Sequence, residues 1–285
     1  VRTLRTVGEL RSALAEPRRA GRTIGLVPTM GSFHDGHLSL MREARRGCDE
    51  VVVSMFVNPT QFDEEADLNR YPRNEERDTL LAADAGVDYL FAPTVAAMYP
   101  PRFATTVSVA GITGTLEGAH RGRSHFDGVA TVVTKLFNIV QPDVAYFGQK
   151  DAQQALVIQR LARDLDMPIV VEVCPTVREP DGLAMSSRNM SLSPDERARA
   201  LAISRALRTA DAAVVAGERD AAKIAGAARA QMTSDGVEPE YFELVSIETL
   251  APVSVIDEDA LAVVAARVGT TRLIDNQLMT TNGRT

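Results

Sequence analysis

"RTIGLVPTMGSFHDGHLSLMREARRGCDEVVVSMFV", residues 22–57, decides the fold. Its first segment, residues 22–28, is short and apolar, which suits a strand. A loop bearing Gly and two His follows. From Gly36 onward, Leu38, Met41 and Ala44 recur at helical spacing, and Gly47 stops the run. Residues 51–57, "VVVSMFV", form an unbroken apolar, β-branched stretch, as expected of a strand covered on both faces. Strand, helix and strand make one βαβ unit, whose crossover should be right-handed.

The alternation continues. A polar helix is expected over 74–85, a strand at "VDYLFAP" (87–93), a helix over 128–140 and a strand at "DVAYFG" (143–148). A helix over 151–165 and a strand over 169–177 follow. This order predicts an α/β fold, a Rossmann-like doubly wound parallel sheet with helices on both faces. Ligands of such sheets bind beyond the carboxyl ends of the strands. The unusual polar residues obey that rule. His34 and His37 follow the first strand, Asn58 and Gln61 the second, Lys150 and Asp151 the strand "DVAYFG". Ser186, Ser187 and Arg188 come after "IVVEVCPTV". Four strand ends therefore point to one site.

Composition shifts near residue 178, where "REPDGLAMSSRNMSLSPDERARA" is polar and loop-rich. Ser193, Pro194 and Glu196 then read as an N-cap, a first-turn Pro and a capping-box Glu. An Ala-rich helix, a second helix and strands over 240–247 and 260–268 complete a smaller C-terminal α+β domain. The expected division is 1–177 and 178–285.

Composition narrows the function. The chain has 285 residues, a net charge of −7 and no Trp, and its Arg residues are interspersed with Asp and Glu. A duplex-binding protein shows a basic face instead, so nucleic acid is not an expected partner; a local anion pocket remains compatible. No apolar run reaches the ~20 residues that span a bilayer. The first twenty residues lack a signal-like apolar core; Leu4, Val7, Leu10 and Leu14 suggest an amphipathic helix. Two cysteines, Cys48 and Cys174, make no disulfide framework and read as small buried apolar residues. A reducing cytoplasm is the expected compartment.

His34 and His37 carry the chemistry. Zinc wants three or four ligands, whereas the chain has four His in all, the others being His120 and His125. The pair sits at i, i+3 around Gly36, where a strand hands over to a helix. A helix N-terminus offers free N–H groups and partial positive charge, a ready phosphate site. Gly31 and Gly36 allow close approach, and imidazoles can donate to phosphate oxygens.

This stretch is similar to the H-x-G-H signature of the nucleotidyltransferase superfamily. The longer "VPTMGSFHDGHLSL" (27–40) resembles the signature of the pantothenate synthetase family. "VSMFVNPTQF" (53–62), "LEGAHRGRSHFDGVATVV" (116–133), "YFGQKDAQQ" (146–154), "VREPDGLAMSSRN" (177–189) and "RVGTTRLIDN" (267–276) extend the resemblance in order. It implies an enzyme that joins pantoate to β-alanine through a pantoyl adenylate, consuming ATP with Mg2+, and a homodimer. It further implies that His34 and His37 stabilise the transferring phosphoryl group and that Lys150 reaches the phosphates. Asp151 would hold the ribose, and Ser186, Ser187 and Arg188 would close over the outer phosphates. Pro28, Met30, Gly148, Val177 and Met185 would also border ATP. Gln61 and Gln154 would fix pantoate, with Pro28, Met30 and Phe56 as an apolar wall, Asn58 near the reacting carboxylate and His125 nearby. Asp78 would lie on the magnesium side.

Two departures stand out. Gln149 occupies a place where the family has an acidic residue, usually Glu. "LEGAHRGRSHF" is one residue longer than the family form and lacks its Pro, so either Arg123 or Arg121 takes the Arg role. Two other functions are compatible with the strand and the H-x-G-H loop. One is a nucleotidyltransferase acting on a phosphate-ester acceptor, the other a non-catalytic nucleotide-binding protein.

Overall fold

In the computed structural model, which describes residues 1–62 and 65–281, the first unit comprises Val1–Gln149 and Gln153–Pro175. Its strands are β1 (Arg2–Leu4), β2 (Ile24–Thr29), β3 (Glu50–Met55), β4 (Tyr89–Phe91), β5 (Val144–Gly148) and β6 (Val170–Cys174). Its helices are α1 (Val7–Arg19), α2 (Asp35–Gly47), α3 (Glu65–Arg70), α4 (Glu75–Asp84), α5 (Val95–Met98), α6 (Glu117–Arg121), α7 (Arg123–Val140) and α8 (Ala152–Asp164). The sheet is parallel throughout, in the order β1-β4-β3-β2-β5-β6. From central β2 the chain winds outward through β3 and β4, then returns to β5 on the other side. The switch point lies between β2 and β5, where a doubly wound sheet opens its ligand crevice.

The apolar pattern explains the layers. Val27 and Val53 from the sheet pack with Phe33, Met41, Ala44 and Leu90 in one buried cluster. Helix α7 lies against β2 and against α1, its own residues outside that cluster. The N-terminal pattern divides differently from the expected single helix. Leu4 belongs to β1, and α1 starts only at Val7. Thr6 and Glu9 form the capping box that fixes this start, with Thr6 Oγ1 accepting the Glu9 N–H at 3.2 Å. Helix α7 begins five residues before the expected 128 because its first residues, "RSHFD", are polar apart from buried Phe126 and hide the apolar period. Strand β6 stops at Cys174, since Pro175 cannot extend the ladder.

The second unit joins Lys150–Ala152 to the residues from Thr176 on. The division thus falls after Pro175 rather than Val177. This unit holds α9 (Pro194–Val215), α10 (Ala221–Ser234), β7 (Pro239–Ser246), β8 (Ala260–Val268) and β9 (Thr271–Met279). Ser193 caps α9 as expected, its hydroxyl accepting the Glu196 N–H at 3.3 Å while the Glu196 carboxylate accepts the Ser193 N–H at 2.8 Å. Ala200, Ala206 and Ala210 let α9 approach its neighbours closely, over a core that includes Leu207, Phe242 and Val264. Strand β9 is an addition to the expected pair. Its inward positions are Thr271, Leu273 and Asp275, so a buried acid interrupts the apolar alternation that marks a strand.

Candidate active site

Beyond β2 the chain turns sharply. Gly31 (φ +87°) and Ser32 (φ +54°) are both left-handed, and Ser32 carries the strain of a side chain there. Three ties hold this turn. The Thr29 hydroxyl donates to the Ser54 carbonyl at 2.6 Å and accepts the Gly31 N–H at 3.2 Å. The third tie is Asp78, whose carboxylate accepts the N–H of Ser32 at 2.6 Å and of Phe33 at 2.9 Å. Asp78 is 1% exposed. A carboxylate expected beside magnesium is instead buried as an anchor of the loop. Among the described residues no group of three or more His, Cys, Asp or Glu is placed to hold a metal. The donor set here does not fit a protein-held ion.

The anchored loop delivers His34 to the N-cap of α2, in extended conformation (φ −131°, ψ 173°). Its carbonyl accepts the N–H of His37 at 2.8 Å and of Leu38 at 3.1 Å. The His34 N–H in turn donates to His37 Nδ1 at 3.4 Å. Because Nδ1 accepts, neutral His37 carries its proton on Nε2 and is a donor there. The two rings lie 4.1 Å apart between centroids. Both His are half-buried, at a helix end whose dipole favours anions.

Beyond β3, the 3-10 turn Pro59–Gln61 packs against α7 at Gly128, where a Cβ would lie 2.5 Å from the Thr60 carbonyl. Asn58 is 1% exposed, and both ends of its amide bond protein groups, among them Gln61 Oε1 at 2.9 Å. This corrects the expectation that Asn58 meets the reacting carboxylate; it sets Gln61 instead. His125 Nδ1 lies 3.0 Å from the Gln61 carbonyl, which can only accept, so this nitrogen donates. Gln61 and His125 are thus brought together. Phe56 is 5% exposed, and half-buried Pro28 and Met30 lie at the end of β2 and just beyond it.

Gln154 is half-buried on α8, while its neighbour Gln153 has a separate task that sequence reasoning missed. Gln153 Nε2 donates to the carbonyls of Ile112 (2.7 Å) and Thr115 (2.9 Å), and its Oε1 accepts the Glu117 N–H at 3.0 Å. It braces the approach to α6. Within "HRGRSH", Gly122 (φ +79°) forms the joint between α6 and α7. Arg121 pairs with Glu117 at 3.6 Å, and exposed Arg123 opens α7, 3.4 Å from Ser108 Oγ.

In the second unit, Lys150, Ser186, Arg188, Asn189, Ile274 and Asp275 line one hollow. Lys150 directly follows Gly148 and Gln149, and its ammonium is 3.4 Å from exposed Asp151. Ser186 Oγ accepts the Arg188 N–H at 3.3 Å, opening the 3-10 turn Ser187–Ser191. Val177 and Met185 meet across the preceding loop, the Met185 N–H donating to the Val177 carbonyl at 2.9 Å. Three residues that sequence reasoning left unassigned hold this arrangement. The Arg178 guanidinium grips buried Asp275 at 2.6 and 3.1 Å, and Asn276 Nδ2 donates to the Lys150 carbonyl at 2.9 Å. Burial pushes the Asp275 carboxyl upward, and the Arg178 guanidinium opposes that shift. The available signal was an acid at an inward strand position, since a buried charge requires a partner.

Comparison with known proteins gives a consistent picture. The sequence profile of the pantoate-beta-alanine ligase family matches residues 2–278. The pantothenate synthetase of Pelotomaculum thermopropionicum is 52% identical over 280 residues, covering 96% of this chain and 97% of that protein. That of Moorella thermoacetica is also 52% identical, covering 98% and 99%. The crystal structure of the Thermus thermophilus pantothenate synthetase superposes with a TM-score of 0.91 at 48% identity, covering 97% of this chain and 99% of that one. The Francisella tularensis pantoate-beta-alanine ligase, complexed with beta-gamma ATP and beta-alanine, gives 0.79 at 32% identity, with 98% of each chain covered.

Proposed function

This chain belongs to the pantoate–β-alanine ligase family, and from that premise we propose that its residues run an ATP-dependent ligation in two displacements. In the first, a pantoate carboxylate oxygen attacks the α-phosphorus of ATP. The bond to the leaving pyrophosphate breaks, and pantoyl adenylate forms. In the second, the amine of β-alanine attacks the acyl carbon, AMP leaves with the electrons of the acyl–oxygen bond, and the nitrogen loses a proton. Pantothenate is the product.

The observation that carries this reading is the His34–His37 pair at the N-terminus of α2, beyond β2 and beside the switch point. His37 Nε2–H and the helix dipole stabilise negative charge growing on the transferring phosphoryl group. Lys150 supplies a point charge and Arg188 a fork of donors to the outer phosphates, with the Ser186 and Ser187 hydroxyls beside them. Asp151 meets the ribose. Gln61 and Gln154 orient pantoate, whose methyl groups lie along Pro28, Met30 and Phe56. An acceptor bearing a phosphate ester would call for cations in place of these two amides. Positioning supplies most of the rate, because the reacting groups need little covalent help.

The Asp78 carboxylate oxygens already accept backbone N–H groups and would not hold magnesium; an ion brought in with ATP would screen the phosphate charge. The family resemblance is what supports a homodimer of the cytoplasm as the active form. No described helix is long and apolar enough to cross a membrane. The test is AMP release with ATP, pantoate and magnesium present. Release should depend on added β-alanine; AMP at background with β-alanine present would end the ligase assignment.

A further inference from the structure

The amide of Gln61 has two ends, and which one meets a ligand decides what it can recognise. Backbone groups of fixed polarity settle the matter at Asn58. The Gly128 carbonyl, 3.2 Å away, can only accept, so the amide atom facing it is Nδ2. The Thr60 N–H, 3.4 Å away, can only donate, so the opposite atom is Oδ1. Nδ2 then also donates to Gln61 at 2.9 Å, which makes the facing Gln61 atom Oε1 and turns its Nε2 the other way.

Oδ1 of Asn58 receives two further donors, the Thr60 hydroxyl at 3.0 Å and the Tyr99 hydroxyl at 2.8 Å. Tyr99 is the only one of these partners outside the 58–61 turn and α7. Its place is set by packing, with its ring 6.1 Å from Phe56 and 5.1 Å from Phe103. Lys135 Nζ sits 4.8 Å from the Phe103 centroid and closes this aromatic row. Tyr99 also ends α5, its N–H donating to the Val95 carbonyl.

We propose that Tyr99 is a positioning residue for pantoate recognition, acting through Asn58 to hold Gln61 with its Nε2 donor toward the substrate. The inference rests on the reading that Gln61 meets pantoate. A donor suits the carboxylate and the hydroxyl oxygen of that acid. A flipped Gln61 would present an acceptor and repel the carboxylate, and the Asn58 amide excludes the flip because Nδ2 would then face an NH2 group.

Tyr99→Phe removes one donor and keeps the ring packing. Its kcat/KM for pantoate should fall about three- to ten-fold, the range for one lost neutral hydrogen bond. The KM for ATP should stay within about two-fold, a split that general loosening of the fold would not produce. In a Gln61→Ala background the same change should cost nothing more, because the relay then has no end. A Tyr99→Phe enzyme with wild-type pantoate kinetics, or losses that add in the double variant, would overturn the role of Tyr99. If Gln61→Ala alone leaves pantoate kinetics unchanged, the reading of Gln61 fails first, and the proposal with it.

Discussion

At the scale of single residues, neighbours in sequence divide between chemistry and support. His37 accepts a backbone N–H on Nδ1 and keeps Nε2 as donor. His37→Ala should therefore lose most pantoate-dependent pyrophosphate exchange, by ~10²-fold or more, the scale of one removed charge-stabilising donor. Exchange near wild type would exclude a catalytic role for His37. Gln153 and Gln154 adjoin, yet Gln153 is consumed by three backbone groups. The cysteines are a further case. Burial pushes Cys174 up to about 11, and it raises Cys48 as well, opposed there by the Tyr146 hydroxyl. Neither is a thiolate at neutral pH, so a thiol reagent should label both only after denaturation. An unfolded thiol ionises near 9, whereas Cys174 holds its proton to about 11. The unfolded state thus loses this proton first, and stability should fall as pH rises through that window, by up to ~3 kcal/mol from Cys174. Denaturant midpoints taken across the window, with Cys174→Ala as reference, measure that contribution.

At the scale of elements, the site depends on close approaches that only small residues permit. Gly128 lets α7 touch the turn Pro59–Gln61, and the hydrogen bonds of Asn58 and His125 cross that contact. Gly128→Ala should destabilise by ~1–3 kcal/mol, the cost of overpacking, and should impair pantoate use with it. Urea unfolding and pantoate kinetics on one preparation check both. A change in neither would mean that the contact yields freely. In the second unit, the Arg178–Asp275 pair links the start of the 178–189 loop to β9. Asp275→Ala leaves a guanidinium without its partner and should cost ~3 kcal/mol or more. A midpoint shift equivalent to under ~1 kcal/mol would show the pair to be dispensable for stability.

At the scale of the whole molecule, each unit has a core of its own, and ligand binding adds stability by mass action. ATP at about 100 times its dissociation constant contributes ~2.7 kcal/mol. For a chain of this size the melting temperature should rise by several degrees with ATP, and Lys150→Ala should remove most of that rise. An undiminished rise would exclude Lys150 from nucleotide binding.

The sequence alone determined the parallel α/β architecture, because unbroken apolar strands and amphipathic helices leave few other ways to bury their surfaces. It also determined the place of His34 and His37, since a strand-to-helix junction is a local feature. The capping box at Ser193 was legible for the same reason. The family resemblance pointed to Lys150 and the Ser186–Arg188 segment. Tertiary structure decided what sequence distance conceals. Asp78 anchors a loop 45 residues away, Asp275 meets Arg178 across 97 residues, and Tyr99 reaches Asn58 across 41. A buried polar group must find its partner in space, and no local pattern names a partner that far along the chain. That requirement turned Asp78 and Asn58 from expected ligands into supports, and it set which end of Gln61 faces outward.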